Sequence, residues 1–266
     1  MHPITERGFL IFRDMLDPQA QRDMLADIRS VVRAAPLVVP VTPRGREMSV
    51  RMTSAGRYGW VTDRAGYRYE RCHPSGVAWP PIPASVLHLW RSVAGVDRDP
   101  DSCLINFYGE GARMGMHQDK DEADFTMPVV SVSLGDDGHF RMGNRARGGK
   151  TSALWLASGD VVVMGGEARL AYHGVDRIRF GSSALLPNGA ADQSDASGGR
   201  LTRQRTAAVQ QNGLPVRPAD KLRNYAVIPV AHPIRTDAPA DKGGHAGCAA
   251  IQLHGEHRRP TARGGP

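Results

Sequence analysis

Between residues 20 and 34 (AQRDMLADIRSVVRA) the apolar positions are Met24, Leu25, Ile28, Val31 and Val32. Steps of three and four residues put them on one face of an α-helix. The pattern returns at 84–95 (ASVLHLWRSVAG) with Val86, Leu87, Trp90 and Val93. The stretch between is rich in Gly, Pro, Arg and aromatic residues and holds no sustained period, so it predicts long loops with short strands. From residue 103 the texture changes. CLINFYG, PVVSVSLG, HFRMGN, SALWLA, DVVVMGG and RLAYHGV are short β-type runs separated by Gly, Asp and Asn. No helical pattern intervenes, which argues against parallel βαβ units. The expectation is a mainly β fold with flanking helices, a barrel or jelly roll.

Residues 188–266 read differently. Tyr225 is their only aromatic, and AVIPV (226–230) is their only apolar run of any length. Such a segment buries little surface, and a disordered tail is expected. The resulting division is 1–100 (helices and connecting loops), 101–187 (β core) and 188–266 (atypical tail).

Composition narrows the class. No run approaches 18 apolar residues, so no membrane-spanning helix is predicted. The N-terminus lacks the basic start and apolar core of a signal peptide, which points to the cytoplasm. Cys72, Cys103 and Cys248 are widely spaced and odd in number, as expected for reduced thiols rather than a disulfide framework. The formal net charge of +7 favours polyanionic partners, nucleic acid among them.

MHQDKDE (116–122) carries the chemistry. In an extended chain residues i and i+2 share a side, so His117 and Asp119 aim an imidazole and a carboxylate at one point. A second histidine from a distant strand would complete a facial set of three ligands. His173 is the best candidate, although spacing alone does not exclude His139. Two histidines and a carboxylate leave three positions of an octahedral ion open, the arrangement of non-haem Fe(II) oxygenases. A zinc hydrolase could use the same ligands.

Longer stretches add specificity. CLINFYGEGARMGMHQDKDE, PVVSVSLG and GDVVVMGGEARLAYHGV, with MSVRMTSAGRYGWVTDRAGYRY upstream, resemble the AlkB family over about residues 8–187. Its members are Fe(II)/2-oxoglutarate-dependent dioxygenases that repair alkylated nucleobases. The resemblance implies a double-stranded β-helix (jelly-roll) core, with residues 1–100 supplying helices and a nucleotide-recognition lid. It implies that His117, Asp119 and His173 bind Fe(II), and gives His139 no metal role. Asn106 and Tyr108 match contacts to 2-oxoglutarate. Trp60 and Tyr67, with Tyr69 two residues on, resemble the aromatic lid of the base pocket. Asp121 resembles the carboxylate that meets the exocyclic nitrogen of a cationic methylated base. Arg147 falls where the family has a substrate-contacting arginine, with Arg145 a near alternative. Glu122 reads as a solvated acid. The implied reaction is oxidative demethylation of bases such as 1-methyladenine and 3-methylcytosine in single- or double-stranded DNA, with RNA left open. O2 and 2-oxoglutarate are consumed, and succinate, CO2 and formaldehyde are released. A monomer with no membrane association is expected.

One part of the family pattern is missing. Its closing strand reads R-x-N-x-T-x-R, and the first arginine pairs with the distal carboxylate of 2-oxoglutarate. Here ALLPNG is followed by AADQSDASGGRLTRQRTAAVQQNG. Arg200 is the nearest match, and no N-x-T follows it. A shift of reading frame near residue 190 would leave this texture. The C-terminal strand is therefore in doubt, and a catalytically impaired nucleic-acid-binding relative is the alternative function.

Overall fold

A computed structural model describes residues 2–186 and 224–230, with backbone only for Asn224, Pro229 and Val230. Helix α1 (Pro18–Ala34) starts where the Asp17 side chain accepts hydrogen bonds from the Gln19 and Ala20 amides, with Pro18 at its first position. It buries Met24, Leu25, Ile28 and Val31. Helix α2 (Ala84–Val93) buries Val86, Leu89, Trp90 and Val93, while Leu87 is only half-buried.

Among the described residues the strands form three antiparallel sheets. The strands of the major sheet, in spatial order, are β1 (Ile4–Glu6), β2 (Phe9–Phe12), β11 (Val161–Met164), β8 (Val129–Gly135), β13 (Asn224–Val230), β6 (Ser102–Tyr108) and β3 (Val50–Gly56). The minor sheet runs β10 (Ser152–Leu156), β9 (Asp137–Met142), β12 (His173–Arg179) and β7 (Met114–His117). Strands β4 (Gly59–Asp63) and β5 (Gly66–Glu70) make a separate hairpin.

Alternation along the strands divides the interior in two. One face of the major sheet meets the helices through Cys103, Ile105 and Phe107 of β6, Val130, Val132 and Leu134 of β8, and Tyr225 and Val227 of β13. The opposite face meets the minor sheet, where Phe9, Ile11, Val129, Val162 and Met164 pack on Phe140, Met142 and Leu156. The polar members of the strands fall on that second face. Asn106, Tyr108, Ser131 and Ser133 line a cavity between the sheets. The result is a two-sheet jelly roll with helices on its outer side, as the sequence pattern predicts.

Several expectations change. Residues 224–230 lie inside the span expected to be a disordered tail, yet they form β13 between β6 and β8. The doubted closing strand is thus occupied by NYAVIPV (224–230), because its alternate apolar residues match the sheet's two faces, while Arg200 lies outside the described residues. The boundary at residue 100 does not separate layers, since β2 and β3 belong to the same sheet as β6. Strand β2 escapes the sequence pattern because four residues are too few to show a period. RLAYHGV is not one strand: β12 begins only at His173, after a bend. Cys103 is a buried free thiol, as expected, and Cys248 lies outside the described residues.

Val227 is fully buried against the helix layer. Val227→Asp would strand an unpaired charge there and is expected to cost about 4 kcal/mol or more. Urea denaturation checks this; an unchanged midpoint would mean that β13 does not pack as described.

Candidate active site

Strands β7 and β12 run antiparallel with His117 directly opposite His173. Directly opposed residues project to the same face, so the register brings both imidazoles together. Their ring centroids are 4.5 Å apart. Asp119 follows β7 and reaches both rings: Oδ1 is 3.5 Å from His117 Nε2, and Oδ2 is 3.4 Å from His173 Nε2. One ligand atom from each residue lies within 4.8 Å of the others.

The rings are oriented from behind. His117 Nδ1 lies 2.8 Å from the Gly115 carbonyl, and His173 Nδ1 lies 3.1 Å from that of Ala171. A carbonyl only accepts, so each Nδ1 carries the proton and each Nε2 keeps its lone pair for a metal. Burial opposes the charge on Asp119, but His173 and His117 overcome it and hold the carboxyl well below its usual range. Burial likewise opposes protonation of His117, and Asp119 reverses this and raises its pKa. The three residues form a ready cation site. His139 is elsewhere: its Nδ1 faces Asp176 Oδ2 at 3.2 Å, and its ring packs on Trp155.

Close strand approach depends on Gly174. A Cβ there would stand 2.6 Å from the Met114 carbonyl oxygen and 3.0 Å from Gly115. Gln118 fixes the same segment from its other side, donating to the Leu170 carbonyl at 2.6 Å and the Arg145 carbonyl at 3.0 Å.

Two cavities meet at His117. The inner one is lined by Asn106, Tyr108, Ser131 and Ser133, with Ala226 and Ile228 from β13. The Asn106 Oδ1 end is buried with no hydrogen-bond partner among the described residues. Exchanging amide O and N would aim a donor at a ligand there, so the site suits a polar guest. Burial, then the nearby Asp119 charge, raises the Tyr108 pKa, so its hydroxyl keeps its proton and can donate. Arg200 lies outside the described residues.

The outer cavity measures about 350 Å³, within the range of small-ligand pockets. Trp60, Tyr67, Tyr69, Asp121 and Arg147 all line it, together with His117 and Asp119. Trp60 and Tyr67 stack on each other at 5.6 Å and 20°. Asp121 Oδ2 accepts from Trp60 Nε1 at 3.0 Å, which leaves Oδ1 for a guest. Arg147 extends over the Tyr172 ring at 5.6 Å and is exposed, whereas Arg145 is not among the lining residues.

Glu122 is not a solvated acid. It is 4% exposed and pairs with Arg169, itself 3% exposed. The sequence gives little warning, since the partners are 47 residues apart. The roles of Gln118, Arg169 and Gly174 are equally hidden, because each acts through backbone groups of distant segments.

A family model described as 2OG-Fe(II) oxygenase superfamily matches residues 8–202. The chain is 48% identical over 183 residues to an alpha-ketoglutarate-dependent dioxygenase AlkB homolog of Caulobacter vibrioides, covering 68% of this chain and 83% of that one. It is 29% identical over 211 residues to a DNA N(6)-methyladenine demethylase of Arabidopsis thaliana, ALKBH1D, covering 71% of this chain and 46% of that one. The solved structure of OsALKBH1 superposes with a TM-score of 0.60 at 25% identity, covering 86% and 99%.

Gly174→Ala would force β7 and β12 apart beside both histidines. Metal affinity is expected to fall about 10–100-fold, as when ligand-orienting contacts are lost. Competition titration with Co(II) checks this; wild-type affinity would mean that the close approach does not set the site.

Proposed function

Since the chain belongs to the 2OG-Fe(II) oxygenase superfamily, among its AlkB-type dioxygenases, we propose that it removes N-alkyl groups from nucleobases by oxidation. The observation that carries this reading is the shared wall of the two cavities. Of the residues suited to a metal, His117 lines both pockets, His173 the inner, largely apolar one that holds Asn106 and Tyr108, and Asp119 the outer aromatic one. A co-substrate bound on one side and a base on the other would meet at the same ion.

When bound, Fe(II), 2-oxoglutarate and O2 would supply the oxidising chemistry for hydroxylation of the N-methyl group, with succinate and CO2 as co-products. The protein's own residues do the rest. His117, Asp119 and His173 would hold the iron. Asn106 and Tyr108 offer donors to 2-oxoglutarate at the inner pocket. We assign its remote carboxylate to Arg200, because a desolvated carboxylate calls for a guanidinium. Trp60 and Tyr67 provide a flat wall for a base taken out of its stack, with Tyr69 beside them. Asp121 turns its unused oxygen toward the exocyclic nitrogen of the lesion, and its charge favours a cationic methylated ring over a neutral one. Arg147 reaches the flanking backbone, and the basic surface draws the polyanion. The hydroxymethyl group then leaves as formaldehyde and the base is restored. Bases such as 1-methyladenine and 3-methylcytosine in DNA are the proposed substrates, with RNA as a further one. Cytoplasmic residence and a monomeric state belong to the same reading.

A second reading has one observation in its favour. β13 turns Ala226 and Ile228 into the inner pocket, and neither can pair with a carboxylate. A protein that binds nucleic acid with little turnover would fit that wall.

Incubation with Fe(II), 2-oxoglutarate and a methylated single-stranded oligonucleotide is expected to release formaldehyde, and His117→Ala to abolish succinate formation. Binding of the oligonucleotide without succinate would favour the second reading; succinate formation indifferent to nucleic acid would refute both. Arg200→Ala is expected to raise the KM for 2-oxoglutarate at least about thirtyfold, the least that losing a desolvated charge pair costs. An unchanged KM would remove Arg200 from the site.

A further inference from the structure

The β4–β5 hairpin is joined to the metal segment through a chain of polar contacts that runs from half-buried Trp60 and Tyr69 to buried Glu122 and Arg169. Trp60 and Tyr69 are directly opposed across the hairpin, so their side chains share the face that meets the outer cavity. That face donates to two consecutive acids. Trp60 Nε1 donates to Asp121, and the Tyr69 hydroxyl donates to Glu122 Oε1 at 2.8 Å. Burial, then the Glu122 charge, raises the Tyr69 pKa, so the hydroxyl remains a donor. Glu122 Oε2 in turn accepts from Arg169 Nη2 at 3.1 Å.

Arg169 continues the chain to the ligand set. Its Nη1 donates to the Asp119 backbone carbonyl at 2.6 Å, and its Nε donates to the Met127 carbonyl at 2.7 Å. One planar guanidinium therefore fixes Glu122, the backbone of a proposed metal ligand, and the segment two residues before β8 at once. Stability does not account for it. A buried ion pair gains little over a well-packed apolar replacement, because both charges lose their water. What the pair does provide is a fixed geometry between Tyr69 and Asp119.

We propose that Glu122 and Arg169 are positioning residues that couple the seating of a base under the hairpin to the placement of Asp119 in the metal set. The proposal rests on the base-binding reading above. Coupling of this kind is reciprocal: if a seated base tightens the metal set through Asp119, a bound metal must tighten the hold on the base by the same factor.

The test is a binding cycle on the full chain. Affinity for a single-stranded oligonucleotide carrying one 1-methyladenine is measured with and without Co(II), for wild type, Tyr69→Phe, Arg169→Lys and the double variant. Co(II) is expected to tighten wild-type binding about fivefold or more, the lower range of measured couplings. Tyr69→Phe keeps the ring and loses one hydroxyl. Arg169→Lys keeps the charge and loses the fork, at a residue that does not line the cavity. Each is expected to reduce the tightening to less than about twofold, and the double variant to lose no more than either, because the two act in series. A merely structural role would weaken binding with and without Co(II) alike and leave the ratio at its wild-type value, overturning the proposal. Additive losses in the double variant would overturn it too. If wild type does not prefer the methylated oligonucleotide to the unmethylated one, the base-binding reading fails and the coupling with it. If it shows that preference but no tightening by Co(II), the coupling alone fails.

Discussion

Everything at the site depends on one register: β7 lies beside β12 with His117 opposite His173. A one-residue slip would send one imidazole to the other side of the sheet. The register also sets how near Asp119 comes to both rings. Gly174 permits the close approach, and the carbonyls of Gly115 and Ala171 fix the tautomers. The jelly roll around this pair holds two short strands at one spacing and opens a cavity on either side of them.

Part of this was legible in the chain. Period-two runs from residue 103 onward identify the β core, because one face of each strand must be apolar. The His-x-Asp spacing puts two ligands on one side of an extended segment. The third ligand was harder, since His139 and His173 both follow β-type runs. Only the fold separates them, by giving His139 to Asp176 and Trp155. Glu122 was misread for a related reason. Local sequence shows an acid in a charged loop, and its burial comes from Arg169, which the bend before β12 delivers from far along the chain. Strand β13 was missed because seven residues in a polar, glycine-rich segment carry little pattern of their own. The sheet supplies the context that makes AVIPV a strand.

The two halves of the proposed chemistry are built to different standards. The metal side is complete among the described residues, with each ligand oriented by a second contact. On the co-substrate side, Asn106 and Tyr108 come from β6 while β13 contributes Ala226 and Ile228. A dicarboxylate moved from water into such a pocket needs a compensating charge. The base side is again well formed, with stacked aromatics above and Asp121 half free below.

Anaerobic Fe(II) titration of wild type, His139→Ala and Asp119→Ala, read as iron retained per chain after gel filtration, tests the assignment of the metal site most directly. One iron per chain is expected for wild type and for His139→Ala, and almost none for Asp119→Ala. Iron retained in full by Asp119→Ala, or lost by His139→Ala, would contradict the site built on β7 and β12.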